Sequence, residues 1–175
     1  MRGLPAEGVG RDQGLVVGED FPSRSPKSLR IIPNWRIIDS QLAGLLATVR
    51  GLSFDRVKAD RGAFGVLLES FVFSEVLKLM SASDLRLTPH HLRDRDAREV
   101  DIVLERDDGM IVGIEVKAGA TVKAGDFAGL KALVEACGDR FAFGVVLYDS
   151  KDLVPFGDRL AAAPLSSLWD GEGAA

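Results

Sequence analysis

Between Glu99 and Lys117 apolar and polar residues alternate. Val100, Ile102 and Leu104 interleave with Glu99, Asp101, Val103 and Glu105. Val112, Ile114 and Val116 interleave with Ile111, Gly113, Glu115 and Lys117. Successive side chains of a strand point to opposite faces, so the alternation predicts two strands, about Glu99–Glu105 and Met110–Lys117, each with one apolar face. A further strand is predicted at about Arg86–Arg93, with Asp94-Arg95-Asp96-Ala97 turning the chain after it.

Upstream the spacing changes. From about Gly62 to Met80, Phe64, Val66, Leu67, Leu68, Phe71, Val72, Phe73, Val76, Leu77 and Leu79 surround most of a helical wheel, which predicts a largely buried helix. Downstream, Asp126 is a candidate N-cap for a helix carrying Phe127, Leu130, Leu133, Val134 and Cys137 on one face, and Gly138 can close it. Phe141 to Tyr148 reads as a buried strand, and Leu165, Leu168 and Trp169 are available to pack back from a mixed tail. Ile37 and Ile38 suggest a short strand. Asp39 and Ser40 offer N-caps for an apolar helix from Gln41 to Val49.

Residues 1–34 mix Gly, Pro, Ser and charge without periodicity, and read as poorly ordered or as the remnant of a lost domain. Residues 35–170 form the domain and 171–175 a tail. The expected fold class is α/β, a mixed sheet in the order helix, strand, strand, strand, helix, strand.

The loop Asp107-Asp108-Gly109 fixes the register of the hairpin. A three-residue loop commonly ends on a left-handed residue, which glycine adopts without strain. Arg106 then pairs with Met110, Leu104 with Val112, Ile102 with Ile114 and Val100 with Val116. The same count sets Asp101 opposite Glu115 and Glu99 opposite Lys117, and a slip of one residue would bury acids. Directly opposed carboxylates, with Cβ atoms about 5 Å apart, repel unless something positive lies between them.

Magnesium takes one or two carboxylates, with water and phosphate completing its shell. Asp101 and Glu115 can supply the carboxylates, Gly113 leaves room beside them, and Lys117 can orient water or steady charge on phosphate. The plain alternative is a solvated hairpin face on which Glu99 and Lys117 form a weak surface pair. Glu69 favours the first reading. It lies well away from the polar strip of Ser70, Ser74, Lys78 and Ser81, among Val66, Val72, Phe73 and Val76. An acid among core residues needs a cation, a metal or hydrogen-bond donors. A buried pair with Arg93 or Arg98 is the structural alternative, and Glu75 is a weaker candidate of the same kind.

Length and composition set limits. The chain has 175 residues, 46% hydrophobic and 27% charged, which suits one soluble domain. A single cysteine, Cys137, excludes an internal disulfide and a cysteine-based zinc site. No apolar run approaches the roughly 20 residues a spanning helix needs, and no signal peptide is evident, so a cytoplasmic location without membrane contact is expected. The net charge of −4 points to solubility rather than to a dedicated nucleic-acid binder.

Helix glutamate, strand aspartate, tight hairpin and Glu-x-Lys follow the order of the PD-(D/E)XK nuclease fold. The segments GAFGVLLESFVFSEVLK, HHLRDRDAREVDIVLERDDGMIVGIEVKAG and DFAGLKALVEACGDRFAFGVVLYDS resemble a domain-of-unknown-function family. That family stands at the C-terminus of many prokaryotic AAA+-type ATPases. The likeness spans about residues 35 to 170 and implies a restriction-endonuclease-like core. Residue by residue, it implies Glu69, Asp101 and Glu115 as magnesium (or manganese) ligands, with Lys117 completing the catalytic set. The chain departs from some nuclease relatives in having Phe127 to Lys131 where they carry a Gln-x-x-x-Tyr pair. It also lacks a Gly-x-x-x-x-Gly-Lys-Ser/Thr phosphate loop, which excludes ATP hydrolysis through that motif.

Arg86, Arg93, Arg95, Arg98, His90 and His91 could contact phosphates, but Asp94, Asp96 and Glu99 interrupt them, so a salt-bridged loop is an equal reading. Adjacent histidines on a strand face opposite ways, which is poor geometry for joint metal ligation. No Gly-x-Ser-x-Gly elbow is present, and Gly8-Val9-Gly10 is no dinucleotide fingerprint. The expected function is magnesium-dependent cleavage of nucleic-acid phosphodiester bonds. The alternative is a catalytically silent recognition module that partners an ATPase.

Overall fold

The computed structural model describes residues 30–33, 61–93 and 98–169. Seven strands form one mixed sheet in the spatial order β1-β2-β3-β4-β5-β7-β6. Along the chain these are β1 (Arg30–Pro33), β2 (Leu87–Arg93), β3 (Glu99–Arg106), β4 (Ile111–Lys117), β5 (Phe141–Tyr148), β6 (Val154–Pro155) and β7 (Leu160–Pro164). Helix α1 (Arg61–Ala82) precedes β2, and α2 (Ala128–Cys137) lies between β4 and β5. β4, β5 and β7 run parallel, and the other pairings are antiparallel.

The predicted helices and central strands stand within a few residues of their expected bounds. The expected Ile37–Ile38 strand, the Gln41–Val49 helix and the turn at residues 94–97 lie outside the described residues. Two parts of the sheet are additional. β1 falls inside the segment read as poorly ordered and pairs with β2, and the tail after Ser150 contributes β6 and β7.

The two helices cover opposite faces of the sheet. Leu68, Val72, Phe73 and Val76 of α1 pack with Ile102, Ile114, Val116, Leu147 and Ala163. Phe127, Leu130 and Leu133 pack with Leu92, Val100, Val103, Ile111 and Val146 on the other side. The central strands are thus packed on both faces, which counts against the alternative of a solvated hairpin face.

Helix α1 is less enclosed than its composition suggests. Val66, Phe71 and Leu79 are exposed, because only one arc of the helix meets the sheet. Phe71 contacts the Trp169 ring at 5.8 Å, and Leu165 and Leu168 pack back as expected. Ser70, Ser74 and Ser81 donate their hydroxyls to carbonyls four residues earlier, so the polar strip satisfies itself within the helix.

Asp126 is not the N-cap of α2. A 3-10 turn, Ala124–Phe127, leads into the helix, and the Asp126 carboxylate accepts the Lys123 backbone N–H at 2.7 Å. Gly138 does end the helix, with φ 57° and its N–H donated to the Val134 carbonyl. Gly138→Ala should cost about 1 kcal/mol of stability, read as a fall in urea midpoint, because a Cβ is strained in that left-handed conformation. No clash adds to this, since no atom lies within 4 Å of the new Cβ. Among the described residues no helix is long and apolar enough to cross a membrane.

Candidate functional site

The tip of the hairpin follows the sequence reading. Gly109 has φ 82°, Arg106 donates to the Met110 carbonyl at 2.9 Å, and Gly109 donates to the Arg106 carbonyl at 2.7 Å. Leu104 pairs with Val112 and Ile102 with Ile114 as expected. Beyond Ile102 the two strands part. The expected pairs Asp101–Glu115, Val100–Val116 and Glu99–Lys117 are not part of the ladder.

A bulge on the other side of β3 accounts for this. His90 pairs with Val103 and Leu92 with Val100, so the single residue His91 stands against two, Asp101 and Ile102. The extra residue reverses the alternation, which puts Val100 and Val103 together on the α2 side while Ile102 faces α1. Bulges of this kind re-aim side chains. Here the Asp101 carboxylate turns toward β4 and accepts the Val116 N–H at 2.8 Å.

Glu115 lies beside it, 8% exposed and the one buried charged residue among those described. Lys117, two residues along on the same face, donates to Glu115 Oε1 at 2.8 Å. Glu115 Oε2 is buried and has no hydrogen-bond partner. Burial, followed by the nearby Asp101 charge, pushes the Glu115 carboxyl up to about 7, against the pull of Lys117 and of the Asp101 backbone N–H. Burial also raises the Asp101 carboxyl, although the Val116 N–H, Lys117 and His91 act to lower it. For Lys117, burial works to lower the ammonium, but its bond to Glu115 and the charges of Glu115, Asp101 and Asp126 prevail and raise it.

Helix α2 packs closely on the strands that carry these residues. Gly129 presses against the Glu99 carbonyl, and the Gly113 Cα faces Leu130 and Leu133. The space that Gly113 was expected to leave beside the acids is therefore filled by these leucines.

Glu69 is exposed, contrary to the sequence expectation of burial. By helical period it shares the arc of Val72 and Val76. Leu68 just before it is buried, but residues 64 to 67 are exposed or half-buried, so this end of α1 is only partly covered. No group of three histidine, cysteine or acidic side chains suited to a metal ion occurs among the described residues, so Glu69 does not complete a three-carboxylate shell there. Glu75 has a structural partner set, Lys78 and the Trp169 Nε1 at 3.1 Å.

The surrounding charges are mostly paired. Glu99 binds Arg93 at 2.9 Å, not Lys117, which removes the simple surface-pair reading of the hairpin. Arg106 binds Asp108, and Arg86 lies 3.9 Å from Asp107. His90 stands 3.2 Å from Glu105, while His91 Nδ1 lies 3.3 Å from the Asp101 carbonyl oxygen. The bulge leaves no mark in the residue pattern, because it changes pairing without changing composition.

No curated protein matches the chain. Residues 64–168 match the family model described as Domain of unknown function (DUF4143), and the chain belongs to that family.

Proposed function

We propose that the domain binds a divalent cation at Asp101 and Glu115 and hydrolyses phosphodiester bonds in nucleic acid, as a PD-(D/E)XK-type module. The observation that carries this reading is Glu115, a buried carboxylate with one oxygen on Lys117 and the other without a partner, beside a second acid. An anionic pair of this kind is costly to bury and is relieved by a cation. Two carboxylates suit magnesium, which draws the rest of its shell from water and phosphate.

Asp101 and Glu115 would hold the ion, which when bound acts as a Lewis acid and lowers the pKa of water. Asp101 is steadied for this by the Val116 N–H. Lys117 would set its positive charge against the phosphate oxygen where negative charge grows. Glu115 itself is shielded from bulk water. Glu69, exposed on α1, is expected to add less than either site acid. The resemblance to modules that follow AAA+-type ATPases suggests that the domain works beside such a motor.

Calorimetric titration of magnesium and manganese tests the reading. Saturable binding is expected for the wild type and its loss in Asp101→Ala/Glu115→Ala, followed by metal-dependent cleavage of DNA or RNA. A folded wild type that binds neither ion, even with nucleic acid present, would overturn it in favour of a silent interaction module.

A further inference from the structure

We infer that His91 is a positioning residue for Asp101, holding the bulged backbone so that the aspartate carboxylate stays on Val116 and beside Glu115. This rests on the reading of Asp101 as a metal-holding carboxylate. At the bulge His91 is the single β2 residue set against Asp101 and Ile102, and the β2–β3 register skips it. Its ring takes up contact there, with Nδ1 lying 3.3 Å from the Asp101 carbonyl oxygen. A carbonyl can only accept, so the bond requires a proton on Nδ1.

Asp101 is thereby held from two sides. Its carbonyl is engaged by the His91 ring on β2, and its carboxylate by the Val116 N–H on β4. A bulged residue has more freedom than one within a ladder, so fixing the carbonyl also fixes the direction of the side chain. β1 pairs along the outer edge of β2, with Ile32 opposite His91, so the His91 backbone lies within the sheet and not at its edge. Groups that orient a metal-holding carboxylate in this way tune affinity without touching the ion.

His91→Phe keeps the ring's bulk and removes the donor. His91→Asn places an amide near the Nδ1 position, and His91→Gln carries its amide one bond farther out. Residue-resolved amide exchange of the metal-free protein and manganese calorimetry are run on all four proteins. The Phe and Gln variants should exchange the Val116 amide about tenfold faster, while Val146 is unchanged. Their manganese affinity should fall about tenfold, and Asn should restore both.

A folded Phe or Gln variant with wild-type Val116 exchange would overturn the role, as would failure of Asn to differ from Gln. If the wild type takes up no manganese, the metal reading fails by itself, and Val116 exchange still decides the positioning role.

Discussion

Replacing Gly129 with alanine is expected to remove about 2 kcal/mol or more of the domain's stability. A Cβ there would lie 1.8 Å from the Glu99 carbonyl oxygen and 2.7 Å from its carbon. Both obstacles are backbone, so no rotamer change relieves them. To reach ordinary contact, α2 must lift from β3 by more than about an ångström, and Phe127, Leu130 and Leu133, all fully buried, lift with it. Alanine's better helix propensity returns about 1 kcal/mol, whereas overpacking against backbone costs at least about 3 kcal/mol. Against a total stability of about 5–15 kcal/mol, the net loss is large enough to shift the urea midpoint clearly.

Gly113→Ala provides the contrast. Its Cβ would meet Leu130 Cδ2 at 2.6 Å and Leu133 Cδ2 at 3.0 Å, the ends of flexible side chains, so about 1–2 kcal/mol is expected. Urea unfolding of the two variants measures the difference. Equal midpoints for Gly129→Ala and wild type would mean that α2 does not approach β3 this closely.

The hairpin, both helices and β5 were legible because each carries its own periodicity and punctuation. Gly109 marks the left-handed turn, Gly138 the helix end, and Phe141–Tyr148 an apolar run. Glu115 and Lys117 were legible as neighbours because they stand two residues apart on one strand, whereas Asp101 joins them through its carboxylate on the Val116 N–H and not through the expected pairing. The missed features depend on partners distant in sequence. β7 is Leu-Ala-Ala-Ala-Pro, without the branched residues that signal a strand, and it forms because small side chains fit beside β5. The bulge at Asp101–Ile102 leaves the same letters in the same order, so the inferred register held only as far as Ile102. Val103 read as part of the polar face and is wholly buried for the same reason. Glu69 looked buried because a wheel records angle but not where along its length a helix meets the sheet.

Glu115→Gln is expected to make the metal-free protein more stable above neutral pH, an unusual outcome for removing a charge from an ion pair. The folded protein holds the Glu115 proton up to about pH 7, whereas the unfolded chain releases it near the ordinary value of 4.5. Between those values the folded state binds more protons, so stability falls as pH rises through the window and levels off above it. The raised Asp101 carboxyl adds a slope of the same sign. For Glu115 the full cost is on the order of 3 kcal/mol. Glutamine does not ionise, and its oxygen can still accept from Lys117, which keeps the charges of Asp101 and Asp126 nearby. A net gain of about 1–2 kcal/mol at pH 8, vanishing near pH 5, is therefore expected once the weaker Lys117 bond is subtracted. Urea titrations across that range in the presence of a chelator measure it. A wild type whose stability is flat from pH 5 to 8 would show that Glu115 carries no such cost, and the main support for a cation site would be gone. If the slope appears, magnesium should reduce it for the wild type and leave the Gln variant unchanged. An acid that weakens the fold alone and ceases to do so with a cation is placed for binding rather than for stability.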